Sequence, residues 1–202
     1  MSVPEDLIRA LQRAQIEARF DLPTRILYST DASIYQIEPL GVAFPKSLDE
    51  LAGAVEISAS FDTPVLARGS GSSLAGQAIG QALILDCSRY LTQILEIDPE
   101  RRTALVEPGV ILSNLNKSTA AHRLQFGPDP ASAERATLGG SIANNATGAH
   151  SILYGMTADH LEAAEVVLSD GSLATFREIS LERARQVAGV SEGELNGSDA
   201  FD

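Results

Sequence analysis

Arg68-Gly-Ser-Gly-Ser-Ser-Leu-Ala-Gly-Gln77 decides how this chain is read, and Gly127-Pro-Asp-Pro130 running on to Thr137-Leu-Gly-Gly140 completes the reading. Each segment follows an apolar stretch that reads as a strand, Val65 to Arg68 and Leu124-Gln-Phe126. Each lacks the side chains needed to fill a core, so its backbone must approach something closely. Successive amides around Gly69 and Gly71 can form a nest for phosphate oxygens without a lysine. The hydroxyls of Ser70, Ser72 and Ser73 can add donors. Two such loops can hold a diphosphate.

The spacing excludes two common nucleotide sites. Glycines at 69, 71 and 76 break the G-x-G-x-x-G pattern, and Ile79 to Leu85 reads as a strand where a nucleotide-binding helix would continue. No Gly-Lys-Ser end serves a triphosphate. By itself, a glycine loop of this kind is as readily an ordinary turn.

Working outward, Glu5 to Phe20 places Leu7, Ile8, Leu11, Ala14 and Ala18 at helical spacing, and Pro23 is expected to end that helix. Val42 to Pro45 reads as a short strand. Ser47 and Glu50 form a capping box for a helix to about Ser60. Ala82 to Asp86 reads as another strand. Ile94 to Asp98 with Thr103 to Glu107 reads as a hairpin about Pro99 to Arg102, Val110 to His122 as a helix, and Gly140 to Asn145 as a short helix. Glu165 to Leu168 and Ser172 to Phe176 read as a second hairpin, with Asp170-Gly171 supplying its left-handed turn. Hairpins among alternating helices and strands favour α+β over a purely parallel sheet.

Composition bounds the function. The 202 residues are 44% apolar and 21% charged, enough for one substantial core or two small ones. Fifteen basic against 27 acidic residues give a formal charge of −12, which opposes binding to nucleic acid or to an anionic membrane surface. No run of about eighteen apolar residues is present for a transmembrane segment, and the first twenty residues lack a signal peptide's pattern. The expected location is cytoplasmic. The single cysteine, Cys87, excludes an internal disulfide and a thiolate cluster, and reads as a buried thiol. His122, His150 and His160 show no metal-ligand spacing and read as surface or packing residues. His150, following a glycine-rich segment, is the one placed to face a ligand.

Taken together, Thr30-Asp-Ala-Ser-Ile-Tyr35, the Arg68 loop, Asp86-Cys-Ser-Arg89, Val106-Glu-Pro-Gly109, Phe126-Gly-Pro-Asp-Pro130, Thr137-Leu-Gly-Gly-Ser-Ile-Ala-Asn-Asn145 and Tyr154-Gly155 resemble, in order, the flavin-binding domain of the FAD-linked oxidases and dehydrogenases that include vanillyl-alcohol oxidase. The chain is most similar to the bacterial D-lactate, glycolate and D-2-hydroxyglutarate dehydrogenases, often fused to iron-sulfur domains. The resemblance covers residues 25–176 and implies a two-lobed α+β FAD-binding domain of the vanillyl-alcohol oxidase type. The expected divisions are an N-terminal helical segment (1–24), a small lobe of about 42–105 and a larger lobe of about 106–180 within a domain of 25–180, and an acidic tail or truncated continuation (181–202).

The resemblance also implies site residues. Gly69 to Leu74 match the loop that wraps the FAD pyrophosphate: Gly69, Ser70, Gly71, Ser72, Ser73 and Leu74. Some members attach flavin through a histidine where Ser72 stands here, so noncovalent FAD is implied. Pro128, Asp129 and Pro130 match the stretch near the isoalloxazine, and Thr137, Gly140, Ser141, Asn144 and Gly148 match positions lining the cofactor. Asn144-Asn145 read on their own are a helix end. Arg68 either binds a carbonyl or carboxylate near the first loop or makes a structural salt bridge. Asp31 caps its own turn, which leaves Tyr35 to packing. Leu153 and Met156 stand where basic residues often flank Tyr154-Gly155 in close relatives.

The implied chemistry of the parent protein is two-electron oxidation of a D-2-hydroxy acid to the 2-keto acid. The small hydroxy acid would be bound through a missing substrate domain, and an electron-acceptor protein or quinone would reoxidise the flavin. No catalytic residue is assigned, because the family's catalytic histidine lies beyond residue 202, and the chain by itself is expected to be inactive. An iron-sulfur cluster is expected only in a downstream domain or partner, and peripheral membrane association only through the complete protein or a partner. The alternative is an accessory or structural flavin-domain subunit of a larger oxidoreductase.

Overall fold

Leu7 and Leu11, one helical turn apart, are fully buried and set the inner face of α1 (Glu5–Arg13). The computed structural model describes residues 3–178 and 180, so the acidic tail lies outside the described residues. The helix stops short of the expected Phe20. Gln15 takes a left-handed φ of 58°, its amide bonds Gln12 O, and Ile16 N reaches back to Leu11 O at 3.0 Å. That pair of bonds closes a Schellman motif, and Leu11 and Ile16 meet in the core beneath it.

The released chain forms β1 (Ala18–Arg19) and then α2 (Leu22–Leu27). Pro23, expected to end a helix, starts one. Asp21 caps it by accepting from Thr24 N at 2.9 Å, and proline's missing N–H is harmless in a first turn. After β2 (Gly41–Ala43), α3 (Leu48–Ser60) begins at Ser47, whose hydroxyl accepts from Glu50 N. The Glu50 carboxylate reaches Lys46 N at 2.9 Å, one residue before the position a capping box would use.

β3 (Val65–Arg68) and β4 (Leu83–Asp86) finish a four-stranded sheet of order β1-β2-β4-β3. β1 is antiparallel to β2, and β2, β4 and β3 run parallel. Alternation along β4 sends Leu83 and Leu85 to the face covered by α1 and α3, and Ile84 to the other face with Val42 and Phe44. The glycine loop therefore leaves the carboxyl end of a strand fixed by a parallel neighbour.

β5 (Ile94–Asp98) and β6 (Thr103–Val106) form the first expected hairpin. The expected helix over Val110–His122 is α4 (Leu112–Thr119) tightening into a 3₁₀ turn at Ala120–His122. α5 (Leu138–Ala143) is shifted two residues earlier than expected, because Thr137 caps it. A second core of Val110, Leu112, Leu115, Ala136 and Leu138 joins α4 to the start of α5. The short α6 (Ser151–Tyr154) was not foreseen.

β7 (Ala163–Val167) and β8 (Leu173–Arg177) form the second hairpin, where only Gly171 takes a left-handed φ. A Cβ on Gly171 would stand 2.6 Å from Glu56 Cβ, so this turn is pressed onto α3. Val167 packs against the first core as well. The architecture is a mixed α/β fold, with hairpins set among the helices.

Candidate functional site

The two glycine segments face each other across a cleft of about 490 Å³. One wall is the end of β3 and the loop Gly69 to Ser73, with Gln77 and Ala78. The other is Pro130, Ser132 and residues from Ala136 to Ala146. The walls meet at Gly69 and Thr137. A Cβ on Gly69 would overlap Thr137 Oγ1, so a side chain there would force the loops apart. The same hydroxyl accepts from Gly140 N and caps α5, which couples the helix start to the first loop.

The first loop is built to present donors. From Ser70 to Gln77 no backbone amide donates to another described residue. Gly71 and Gly76 have φ of +68° and +83°, which turns successive amides in directions a regular strand does not permit. On the opposite wall, Ser141 is buried and its Oγ has no hydrogen-bond partner, although it lines the cleft. A buried hydroxyl without a partner is unfavourable by about 1–3 kcal/mol until something satisfies it.

Arg68 is the one cationic residue lining the cleft, and its donors are already engaged. Its guanidinium donates to Tyr28 O at 3.3 Å, Ala78 O at 3.0 Å and Thr30 O at 2.8 Å, and it lies 5.2 Å from the centre of the Tyr28 ring. Burial pulls its ionisation down from the ordinary arginine value, opposed by the nearby Tyr28, Asp31 and Asp86. Arg68 makes no salt bridge among the described residues and is held by backbone carbonyls instead. Its carbonyl partners are the protein's own.

This hold lays residues 30–36 across the first loop. Ala32 N donates to Gly71 O at 3.0 Å, and Gly76 packs against the ring of Tyr35. Asp31 caps its turn as expected, accepting from Ser33 N at 2.8 Å. Burial pushes the Asp31 carboxyl upward, but the Ser33 hydroxyl and amide, the Ala78 amide and the Arg68 charge together hold it below the usual range.

Arg68, Gly69, Ser70, Gly71, Ser72, Ser73, Thr137, Gly140, Ser141 and Asn144 are therefore brought together around one cleft. Leu74, Pro128, Asp129 and Gly148 are not part of its lining. Leu74 points to solvent at 79% exposure, and Pro128 is wholly buried. Asp129 turns to His150, accepting from the His150 amide at 3.0 Å and from its Nδ1 at 2.5 Å. Gly148 lies against the Asp129 backbone so closely that a Cβ would overlap the carbonyl. His160 packs on Phe126 and bonds Tyr154 O, and Cys87 is buried, its thiol pushed up to about 11 by burial and then by Asp86. Pro130, the last residue of the stretch matched to the isoalloxazine surroundings, lines the cleft, and Gln77, Ser132 and the small residues Ala136, Ala143 and Ala146 line it without having been singled out as site residues. Runs of small residues beside the glycines were the available signal.

A cleft backed by the end of β3, walled by two glycine-rich loops and supplied with unengaged amides and the Ser141 hydroxyl is able to hold a dinucleotide. The chain belongs to the FAD binding domain family, whose model matches residues 39–177. The D-2-hydroxyglutarate dehydrogenase of Pantoea ananatis is 38% identical over 81% of this chain and 16% of its own length. Glycolate oxidase subunit GlcD of Bacillus subtilis is 36% identical over 74% of the chain and 32% of its own length. Among solved structures, an alkyldihydroxyacetonephosphate synthase aligns with a TM-score of 0.74 at 23% identity, over 88% of this chain and 38% of that one, a likeness in fold. The chain thus has an FAD-linked oxidase fold of the vanillyl-alcohol oxidase type and is related to the bacterial D-2-hydroxy-acid dehydrogenases. It spans a minor part of the length of these relatives. No helix among the described residues is long and apolar enough to cross a membrane.

Proposed function

We propose that this chain holds FAD noncovalently in the cleft between its glycine loops, within a flavoprotein dehydrogenase that oxidises a D-2-hydroxy acid to its 2-keto acid. The observation that carries the proposal is the row of unengaged amides from Ser70 to Gln77 opposite the unpartnered Ser141 hydroxyl. When bound, FAD would supply the two-electron acceptor for the substrate's hydride.

In this account the chain's own residues bind and orient. The amides about Gly69 and Gly71 and the hydroxyls of Ser70, Ser72 and Ser73 take the diphosphate oxygens. The Ser141 hydroxyl and the Asn144 side chain complete the facing wall. Arg68 keeps the first loop in shape, and Thr137 sets the separation of the walls. Pro128, Asp129 and Gly148 act behind the cleft, fixing the position of Pro130. Leu74 stands at the rim. The small lobe of about 42–105 carries the first loop, and the larger lobe of about 106–180 carries the second.

No described side chain is assigned the substrate's hydroxyl proton. Hydroxy-acid binding and turnover belong to a substrate domain outside this chain, with a protein or quinone as electron acceptor. Any iron-sulfur cluster belongs outside it too. The protein is placed in the cytoplasm, with membrane association through a partner or the complete protein. One relative is named a glycolate oxidase subunit, which favours a second reading in which the chain is part of a multi-subunit oxidoreductase.

The test is reconstitution with FAD followed by denaturation and filtration. Flavin bound before denaturation and recovered in the filtrate supports the proposal. Flavin that stays with the polypeptide overturns the noncovalent assignment, and absence of saturable binding overturns the cofactor assignment.

A further inference from the structure

Gln77 Nε2 donates to Asn144 Oδ1 at 2.7 Å, joining two exposed side chains sixty-seven positions apart in sequence. Gln77 ends the first glycine loop, and Asn144 is the C-cap of α5 on the facing wall. Asn144 is anchored from behind, its Nδ2 donating to Gly140 O at 2.9 Å, which aims Oδ1 across the cleft. An exposed amide–amide bond stabilises a fold only modestly, and holding two long side chains in one geometry opposes it entropically. Its position is the informative part. Both partners line the same cleft as Ser70 and Ser141 and both are exposed, so the bond ties the two walls together on the solvent side of the cleft.

We infer that Gln77 and Asn144 form a clasp that closes the cleft and sets the rates at which a dinucleotide enters and leaves it. This inference rests on the FAD reading above. Gln77 is a positioning residue here: it holds one wall against the other and makes no contact with the reacting atoms. With the clasp closed the two walls keep the spacing that Gly69 and Thr137 define at the base of the cleft. With it open, Gln77 swings away with its loop, whose amides have no other described partner to resist the movement.

Gln77→Ala, Asn144→Ala and the double variant test this in two arms. Without ligand, hydrogen exchange in Gln77→Ala should rise at the amides of Ala32 and Ile79, which bond carbonyls of the first loop, and in residues 140–144 by roughly three- to tenfold, the range corresponding to one modest hydrogen bond, while the melting temperature stays near wild type. Unchanged exchange in both places would overturn the clasp. With FAD, stopped-flow flavin fluorescence should show association and dissociation both accelerated about three- to tenfold in Gln77→Ala, with little change in Kd. The Asn144→Ala substitution should also speed both steps, with any change in Kd reporting its own place in the facing wall, and in the ligand-free arm the double variant should raise exchange no further than either single one. Faster dissociation with unchanged association would make Gln77 a ligand contact and overturn the gate, as would additive effects of the two substitutions. A wild-type protein without an FAD signal would sink the cofactor reading, while the exchange arm still decides whether the clasp exists.

Discussion

Asp129 grips His150 at two points, its Oδ1 accepting from the His150 amide at 3.0 Å and its Oδ2 lying 2.5 Å from Nδ1. An ionised carboxylate accepts only, so Nδ1 carries the proton in this pair. The His150 amide and then its ring hold the Asp129 carboxyl below its ordinary value of 3.8. A depressed carboxylate contributes stability that is fully present above the unfolded value and is lost as pH falls through the lower folded one. The contribution of this pair should therefore be intact above about pH 4 and disappear only in stronger acid. Carbon-13 titration of Asp129 should show its midpoint moving up toward the ordinary value in His150→Ala. An unmoved midpoint would mean that the His150 ring adds nothing to the hold its amide keeps on Asp129.

Gly71 should be intolerant of any side chain, for two separate reasons. Its φ of +68° strains an L residue, and a Cβ would stand 2.5 Å from Arg68 Nη2. Gly71→Ala should lower stability by about 1–2 kcal/mol, and Gly71→Val, being β-branched, by more. Both should weaken FAD binding by at least about tenfold, a loss of about 1.4 kcal/mol, with the far-UV spectrum close to native. Titration by flavin fluorescence measures this, and equal affinity in a folded Gly71→Val protein would remove the loop from the site.

Arg68→Lys keeps the charge but cannot span three carbonyls with a planar fork. It should destabilise the protein by about 2–3 kcal/mol in denaturant unfolding. Amide exchange should rise in residues 30–36, which Arg68 lays over the loop. A substitution that left both measurements at wild-type values would show that the carbonyl contacts of Tyr28, Thr30 and Ala78 carry no weight.

The chain alone should not turn over D-lactate or D-2-hydroxyglutarate. The carboxylate of either acid calls for a cation, and the one cationic residue lining the cleft is Arg68, already bound to three carbonyls. Anaerobic mixing of FAD-loaded chain with either acid should leave the flavin oxidised. Bleaching at roughly 1 s⁻¹ or faster would show that catalysis needs nothing further.

How much of this was readable in advance depended on distance along the chain. β3 was legible to the residue, and both hairpins nearly so, because apolar runs bounded by turn residues are local signals. The end of α1 was not. Helical spacing continues through Ala14 and Ala18, and the Schellman closure arises because Ile16 finds the same core as Leu11. Pro23 was read as a stop because proline ends helices from within, whereas the Asp21 cap places it at a start. The glycines and serines of the cleft were legible from composition and order. The roles of Arg68, Gln77 and Asp129 were not, since their partners lie between ten and sixty-seven positions away in sequence.

The most direct test of the central claim is FAD titration of the wild-type chain beside Gly71→Val, followed by denaturation of the wild-type complex. The account predicts saturable binding to wild type, strongly weakened in the variant, with all flavin released once the protein unfolds. Equal binding by both proteins, or flavin that remains on the unfolded polypeptide, would contradict it.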